Sequence, residues 1–258
     1  RETFIDLVRD SGAPIPMAEI EGFYTRGEKP VGVLRIFRAL ESSILKKPEY
    51  LKRITLEHLE RTAAQGVRYI ELFWNWTGLK HFMTYAEGQD AIVAGLIEGE
   101  EKYGIVGRLV PSIDREALPE DAVELVAYRL ARNAGFKLTA HAGEFGEHWR
   151  NVETAMDLLE CERIDHGYTI TDNPELAERA ADQGIPFAVV PTNSYYLRTF
   201  TDEEWAVKHP IRRMVELGLK VFPNSDDPTM HHISISESWL LMMNWLGFSL
   251  ADLRGFLA

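Results

Sequence analysis

Histidines and carboxylates follow three apolar stretches in the second half of the chain. His141 ends one stretch, and Glu144 comes three residues later in the sequence HAGE. His166 ends a second stretch in the sequence DHG, and the adjacent pair Asp226 and Asp227 follows a third in the sequence SDDP. Each group has an ordinary structural explanation, such as a helix N-cap for the aspartates. Three such groups in succession are much harder to attribute to chance, so they form a candidate active site.

These residue types suit hydrolysis by a water molecule that is activated on a metal. Histidine nitrogen and aspartate oxygen are good zinc ligands, and a bound metal lowers the pKa of its water. A second carboxylic acid can then pass protons between water and substrate. Two adjacent carboxylates at a strand end are costly unless a cation or hydrogen-bond donors compensate them. Gly143 allows a tight turn, so that the side chains on either side of it can face one spot.

The elements around these residues alternate between helix and strand. Branched and aromatic runs predict strands over residues 67–74, 105–114, 136–141, 163–166, 186–191 and 219–224. Apolar periodicity predicts helices over residues 49–65, 85–103, 120–134, 152–159, 174–183 and 211–217, most of them closed by a glycine. This alternation predicts βα units and a parallel sheet.

Two parallel architectures are compatible with that pattern, a closed barrel and an open doubly wound sheet. The sequence has no G-x-G-x-x-G after an early strand, which disfavours the dinucleotide-binding form of the open sheet. The candidate residues all follow strands, and in a barrel those strand ends share one mouth. We therefore predict an α/β fold, a (β/α)8 TIM-type barrel, as a single domain over residues 1–258. Only six strands are recognisable in the pattern, and a barrel of this type needs eight.

The composition limits the partners. The chain has 258 residues and a formal net charge of −12, which argues against a nucleic-acid backbone or an anionic membrane as the main partner. There is no apolar run long enough for a transmembrane helix, and the charged opening residues do not read as a signal peptide. The single cysteine, Cys161, is consistent with a cytoplasmic location. A small molecule is the kind of substrate that is still compatible with this composition. The composition does not determine the oligomeric state.

The three motifs together are similar to those of the adenosine deaminase family. HAGE at 141–144, DHG at 165–167 and SDDP at 225–228 occur in the order and at the intervals of that family, and PTNSYYL at 191–197 resembles its strand-seven loop. The resemblance runs over most of the chain and is strongest over 138–228. It implies a metal-dependent amidohydrolase barrel that deaminates an adenine-type ring, with adenosine as the leading candidate.

The resemblance also implies roles for the metal and proton-transfer residues. His141 and Asp226 would bind one divalent metal, commonly Zn²⁺. Glu144 would protonate a ring nitrogen of the substrate, and His166 would orient the attacking water and help to deprotonate it. Ammonia would then leave and an oxo group would remain.

Three further residues would contact the substrate. Asp227 would hydrogen-bond the five-membered edge of the purine, and Gly143 and Ser194 would line the same site. The preference for a nucleoside rests on the stretch 194–197, which is similar to the corresponding loop of the family.

The sequence departs from the family in its metal ligands. The family supplies two more metal histidines as H-x-H on its first strand, and no H-x-H occurs here. His231 and His232 are adjacent, so on an extended segment they would point to opposite faces, and we do not predict them to chelate as a pair. The resemblance implies that the two missing strands are the first and the fourth of the barrel. We therefore expect the natural protein to be longer, with one absent strand before Arg1 and the other inside 124–129. Intact mass is the measurement that tests this.

Three alternatives stay open. The chain could be a non-catalytic barrel that binds a purine, which the missing H-x-H favours. It could deaminate free adenine, a nucleotide or a modified purine. It could also hydrolyse amides or esters, although an acid at Glu144 is better suited to a ring nitrogen.

Overall fold

The computed structural model describes residues 2–24, 37–112, 123–144, 148–193 and 200–257. Contacts within the chain divide it into two compact units, Arg1–Ala117 and Leu118–Ala258. Both units combine helices with parallel strands, as the alternation in the sequence predicts.

The first unit pairs two parallel strands with long helices. Its elements are α1 (Glu2–Ser11), α2 (Met17–Tyr24), a π-helical turn (Leu40–Ile44), α3 (Pro48–Ala63), β1 (Tyr69–Trp74), a 3-10 turn (Thr77–Leu79), α4 (Tyr85–Tyr103) and β2 (Val106–Pro111). A capping box between Thr84 and Glu87 begins α4, and Gly104 ends it in a left-handed conformation. Helices α3 and α4 approach closely at Gly99, where an added Cβ would lie 2.3 Å from Leu59 Cδ1.

The second unit contains a four-stranded parallel sheet in the order β3-β4-β5-β6. The strands are β3 (Thr139–Ala142), β4 (Arg163–His166), β5 (Pro186–Val189) and β6 (Lys220–Pro223). The helices are α5 (Val123–Asn133), α6 (Arg150–Asp157), α7 (Pro174–Asp182), α8 (Asp202–Lys208), α9 (Pro210–Glu216), α10 (Pro228–His231), α11 (Ile235–Asn244) and α12 (Leu250–Gly255), with a 3-10 turn at Tyr168–Asp172.

The apolar core of the second unit lies between one face of this sheet and the helices. Val152, Ile164, Phe187, Met214 and Met242 are fully buried there, and each comes from a different element. Burial of a side chain of this size contributes roughly 1.5–3 kcal/mol. Because side chains alternate along a strand, Arg163 and Asp165, on either side of Ile164, project from the other face of the sheet.

The predicted strands are all present, and most are a few residues shorter than expected. The helix predicted over 120–134 is observed as Val123–Asn133 and is continuous through 124–129, the segment in which we expected an absent strand. Sequence analysis missed α2 in the first unit, and α8, α11 and α12, which follow the fifth and sixth strands. The parallel α/β class is therefore confirmed. The assignment of residues 1–258 to a single domain stays a prediction, and the structure shows two compact units.

Within the described ranges, every helix is too short or too polar to cross a membrane.

Candidate active site

The candidate residues meet at the carboxyl ends of the strands of the second unit. His141 lies on β3, His166 ends β4, Asn193 follows β5, and Asp226 and Asp227 follow β6. All four strands are parallel and paired in sequence order, so their carboxyl ends lie along the same edge of the sheet. This is the edge at which α/β proteins place their active sites.

Glu144 and His166 form a buried pair at this edge, where β3 and β4 end. Oε1 of Glu144 lies 3.6 Å from Nε2 of His166 and accepts a hydrogen bond from Nδ2 of Asn193 at 3.0 Å. Glu144 is 6% exposed and His166 is 2% exposed. A carboxyl group and an imidazole held together out of water are well suited to proton transfer.

Two of the candidate residues have an unusual backbone conformation. His166 and Asp226 have φ values of 69° and 52°, in the left-handed region that non-glycine residues rarely occupy. Such a conformation costs on the order of 1–3 kcal/mol and persists only where the surroundings hold it. Here Gly167 N–H donates to the carbonyl of Ala142, and Asp226 N–H donates to Oδ1 of Asn224. The strain lies at the candidate active site, as is common in functional sites.

The turn after β3 is held by close packing at Gly143. Its φ is 66°, and an added Cβ would lie 2.5 Å from Thr169 Oγ1 and 2.8 Å from Val152 Cγ2. Only glycine meets both constraints without strain. The structure thus supports the predicted tight turn that brings Glu144 into the site, while the substrate contact assigned to Gly143 stays a prediction.

His141 lies beside both His166 and Asp165. Its ring centroid is 4.8 Å from that of His166, with the planes at 79°, and its Nδ1 lies 3.4 Å from Oδ2 of Asp165. Partial burial lowers the pKa of His141, but the hydrogen bond and charge of Asp165, followed by the charge of Asp226, raise it overall. His141 is therefore surrounded by negative charge.

Burial and mutual repulsion disfavour the ionised forms of the two adjacent aspartates. Burial raises the pKa of Asp226 well above its usual value, and the charge of Asp227 raises it further. Burial likewise raises the pKa of Asp227, to about 6. The hydrogen bond with Asp226 lowers this pKa, and the charge of Glu144 raises it. A divalent cation would offset this crowding of carboxylates.

The donor atoms fit such a cation. Ligand atoms of Glu144, His166 and Asp226 lie within 4.8 Å of one another, and so do those of Asp226, Asp227 and His231. A mixed set of imidazole nitrogens and carboxylate oxygens is typical of zinc sites. Asp226 belongs to both groups. The other predicted ligand, His141, belongs to neither, although it adjoins His166.

Three further residues of the site were given no role from the sequence. Asn193 holds Glu144, and Asp165 adjoins His141. His231 is 3% exposed, with Nδ1 at 3.2 Å from Oγ1 of Thr192. Both Asn193 and Asp165 lie inside motifs quoted above, so their positions after β5 and within β4 were the available signal.

Two further predictions concern the histidine pair His231 and His232, and Ser194. His232 is exposed whereas His231 is buried, so the two do not face one site. Ser194 lies outside the described residues, and its predicted substrate contact stays a prediction.

A parallel α/β fold with imidazole and carboxylate donors at the carboxyl ends of its strands is typical of metal-dependent hydrolases of the barrel class. Within that class, the family model described as adenosine deaminase matches residues 118–257. Because this is more than half of the chain, the chain belongs to the adenosine deaminase family.

Curated relatives cover nearly the whole chain. An adenosine deaminase of Clostridium botulinum strain Langeland is 28% identical over 295 residues, which span 98% of this chain and 85% of the relative. An adenine deaminase of Rhizobium leguminosarum bv. trifolii is 29% identical and spans 82% of this chain and 74% of the relative. The 295 aligned residues exceed the 258 of this chain. The Clostridium relative therefore has internal residues with no counterpart here.

Solved structures agree with the fold. An amidohydrolase from Burkhoderia ambifaria with bound Zn is 50% identical, has a TM-score of 0.95 and is matched over 99% of this chain and 79% of its own. The adenine deaminase of Arthrobacter aurescens has a TM-score of 0.85 at 22% identity over 99% of this chain and 86% of its own. These similarities confirm the predicted amidohydrolase barrel class.

Proposed function

We propose that this protein removes the amino group of an adenine-type purine by hydrolysis and releases ammonia. The observation that carries the proposal is the buried Glu144–His166 pair, fixed by Asn193 beside the carboxylates of β6. A deaminase must deliver a proton to a ring nitrogen and take one from water, and this pair offers an acid and a base side by side.

Glu144 is the proton donor in this proposal. As water adds to the ring carbon that bears the amino group, the adjacent ring nitrogen becomes more basic, and a carboxylic acid beside it stabilises the tetrahedral intermediate. The hydrogen bond from Asn193 fixes Oε1 of Glu144, so the carboxyl group is oriented before substrate arrives. Orientation in advance lowers the cost of reaching the transition state.

His166 is the group that orients and deprotonates the attacking water. Its ring packs against the ring of Tyr168 at a centroid distance of 5.7 Å, and the hydroxyl of Tyr168 both accepts from Val190 N–H and donates to its carbonyl. This packing fixes the ring with Nε2 toward Glu144. An imidazole held in this way is positioned to act as a general base toward water.

His141 and Asp226 would hold one Zn²⁺, with Glu144, His166, Asp227 and His231 as the neighbouring donors. When bound, the metal lowers the pKa of water so that hydroxide is available near neutral pH. The zinc-bound amidohydrolase that is 50% identical supports this choice of metal. Asp226 would also be relieved of the repulsion that raises its pKa.

Asp227 would recognise the five-membered edge of the purine. An ionised carboxyl group accepts a hydrogen bond from a ring N–H, and a protonated one donates to a ring nitrogen, so either form of Asp227 can contact this edge. Gly143 and Ser194 would complete the substrate contacts.

Adenosine is the leading substrate, and free adenine is the nearest alternative. Relatives of both names match the chain at similar identity, so identity does not separate them. A nucleotide or a modified purine is a further alternative. The substrate is a small molecule in every case, and we propose a cytoplasmic enzyme with neither nucleic acid nor membrane as its partner.

Metal analysis combined with an ammonia-release assay over a panel of purines tests the proposal. We expect one zinc per chain and ammonia release from adenosine or adenine. Purine binding without ammonia release would indicate a non-catalytic barrel. Release of product only from amide or ester substrates would indicate a different hydrolase.

A further inference from the structure

Asp165 lies directly opposite His141 in the sheet. The parallel pairing of β3 with β4 aligns Thr139 with Arg163 and His141 with Asp165. Alternation along the strands puts these four side chains on one face, opposite the apolar core residues Leu138, Ala140 and Ile164. The four side chains therefore form a polar group, which we call the β3–β4 polar cluster.

Asp165 is the centre of this cluster. Its Oδ2 accepts a hydrogen bond from Oγ1 of Thr139 at 2.9 Å, and its Oδ1 accepts one from Nε of Arg163 at 3.1 Å. Nε of Arg163 also lies 3.2 Å from Oγ1 of Thr139. With Asp165 only 3% exposed, these contacts fix the position of the carboxylate on two sides.

The third neighbour of this carboxylate is the imidazole of His141. Nδ1 of His141 lies 3.4 Å from the same Oδ2 that Thr139 contacts. A neutral imidazole carries its hydrogen on one nitrogen only. A fixed carboxylate beside Nδ1 favours the tautomer with hydrogen on Nδ1, which leaves Nε2 with a lone pair for another ligand.

An ordinary structural role explains the cluster less well. A buried ion pair seldom adds stability over apolar side chains of similar volume. The core of this unit is already filled by aliphatic and aromatic residues on the other face of the sheet. A carboxylate that is held by a hydroxyl group and a guanidinium and that also adjoins an imidazole is better suited to orienting that imidazole.

We propose that Asp165 is a positioning residue that holds His141 in the Nδ1–H tautomer and so prepares Nε2 to bind the metal. The inference rests on the proposed function, because it assumes that His141 is a metal ligand. Asp165 touches neither metal nor substrate in this role, and it acts through His141 alone.

The first test measures zinc affinity in the purified protein by competition with a chromophoric chelator. Asp165→Asn keeps the size of the side chain but removes its charge, and we expect zinc affinity to fall by about 10–100-fold. The matched control is Asp157→Asn. Asp157 also pairs with an arginine, Arg179, but on the exposed surface of α6, and we expect its substitution to leave zinc affinity unchanged.

The second test reads the tautomer directly in the wild-type protein without metal. With ¹⁵N-labelled histidine, the imidazole signals of His141, assigned by their loss in His141→Gln, should report hydrogen on Nδ1. Thr139→Val retains the acid and removes one of its hydrogen bonds, so it should weaken zinc affinity less than Asp165→Asn does. Should Asp165→Asn fail to fold, the tautomer and Thr139→Val still decide the question.

Hydrogen on Nε2 and not on Nδ1 of a neutral His141 in the wild type, or wild-type zinc affinity in a folded Asp165→Asn variant, would overturn the inference. If the wild type binds zinc and releases ammonia in those cases, the proposed function stands and only the positioning role is lost. If the wild type binds no zinc, both fail together.

Discussion

Oε1 of Glu144 lies 3.6 Å from Nε2 of His166, and both residues are almost completely buried. Glu144 follows β3 and His166 ends β4, so the contact joins two neighbouring strand ends. Each residue reaches the contact through a left-handed backbone at or next to it, at Gly143 and at His166. The pair depends on local backbone geometry, which makes it sensitive to substitutions that leave its own side chains intact.

Replacing Glu144 with Gln should abolish most of the turnover and leave zinc bound. The amide keeps the shape of the side chain but cannot donate the proton, and loss of a general acid typically costs about 10²–10⁴-fold in rate. Steady-state ammonia release and zinc content measured on the same preparation check this. Glu153→Gln, on the exposed surface of α6, is the control. Retention of most of the rate in Glu144→Gln would exclude this residue as the donor.

Asp226→Ala and Asp227→Ala should differ in metal content although the residues are adjacent. Removal of Asp226 takes away a proposed ligand, so zinc should be lost together with activity. Removal of Asp227 takes away a proposed substrate contact, so zinc should remain while the rate falls. Zinc content by elemental analysis distinguishes the two, and equal content in both variants would show that the roles are wrongly assigned.

Gly143→Ala should destabilise the protein more than Gly184→Ala. Both glycines have a φ of 66°, but an added Cβ meets Thr169 at 2.5 Å in the first case and nothing within 4 Å in the second. The left-handed backbone costs roughly 1–2 kcal/mol in each variant, and the clash adds about 1–3 kcal/mol at Gly143 alone. Unfolding in urea measures the difference. Gly143→Ala should also release ammonia more slowly because Glu144 is displaced, whereas Gly184→Ala should keep the wild-type rate. Equal free energies of unfolding in the two variants would refute the packing argument.

His209 should make the protein sensitive to acid. It is 1% exposed, and burial lowers its pKa from 6.5 to about 3. The unfolded chain therefore takes up a proton below about pH 6.5 that the folded protein does not accept until about pH 3. Stability should fall as the pH is lowered across this window, by up to roughly 1.4 kcal/mol per pH unit from this residue.

His209→Asn should flatten that dependence. Nδ1 of His209 accepts a hydrogen bond from Ile211 N–H at the start of α9, and an asparagine oxygen can replace this cap without titrating. Urea unfolding between pH 7 and pH 4 gives the slopes, with His148→Asn, at an exposed position, as the control. The same slope in His209→Asn and wild type would exclude His209 as the cause.

The sequence by itself determined the strands, the parallel class and the residues most suited to chemistry. Apolar periodicity and terminal glycines specify secondary structure over a few residues, so they can be read from the sequence. The polar groups come directly after the predicted strands, so their positions can be read in the same way. HAGE, DHG and SDDP were therefore recognisable before any contact was known, and they identified the family that the comparisons confirm.

The tertiary structure decided which of these groups meet. The pairing register of β3 with β4 puts Asp165 against His141, and the path of the chain after β5 brings Asn193 to Glu144, 49 residues away. His231, which follows the aspartates on α10, turns inward to Thr192. No local pattern specifies such contacts, because they depend on strand register and on packing between elements far apart in the chain.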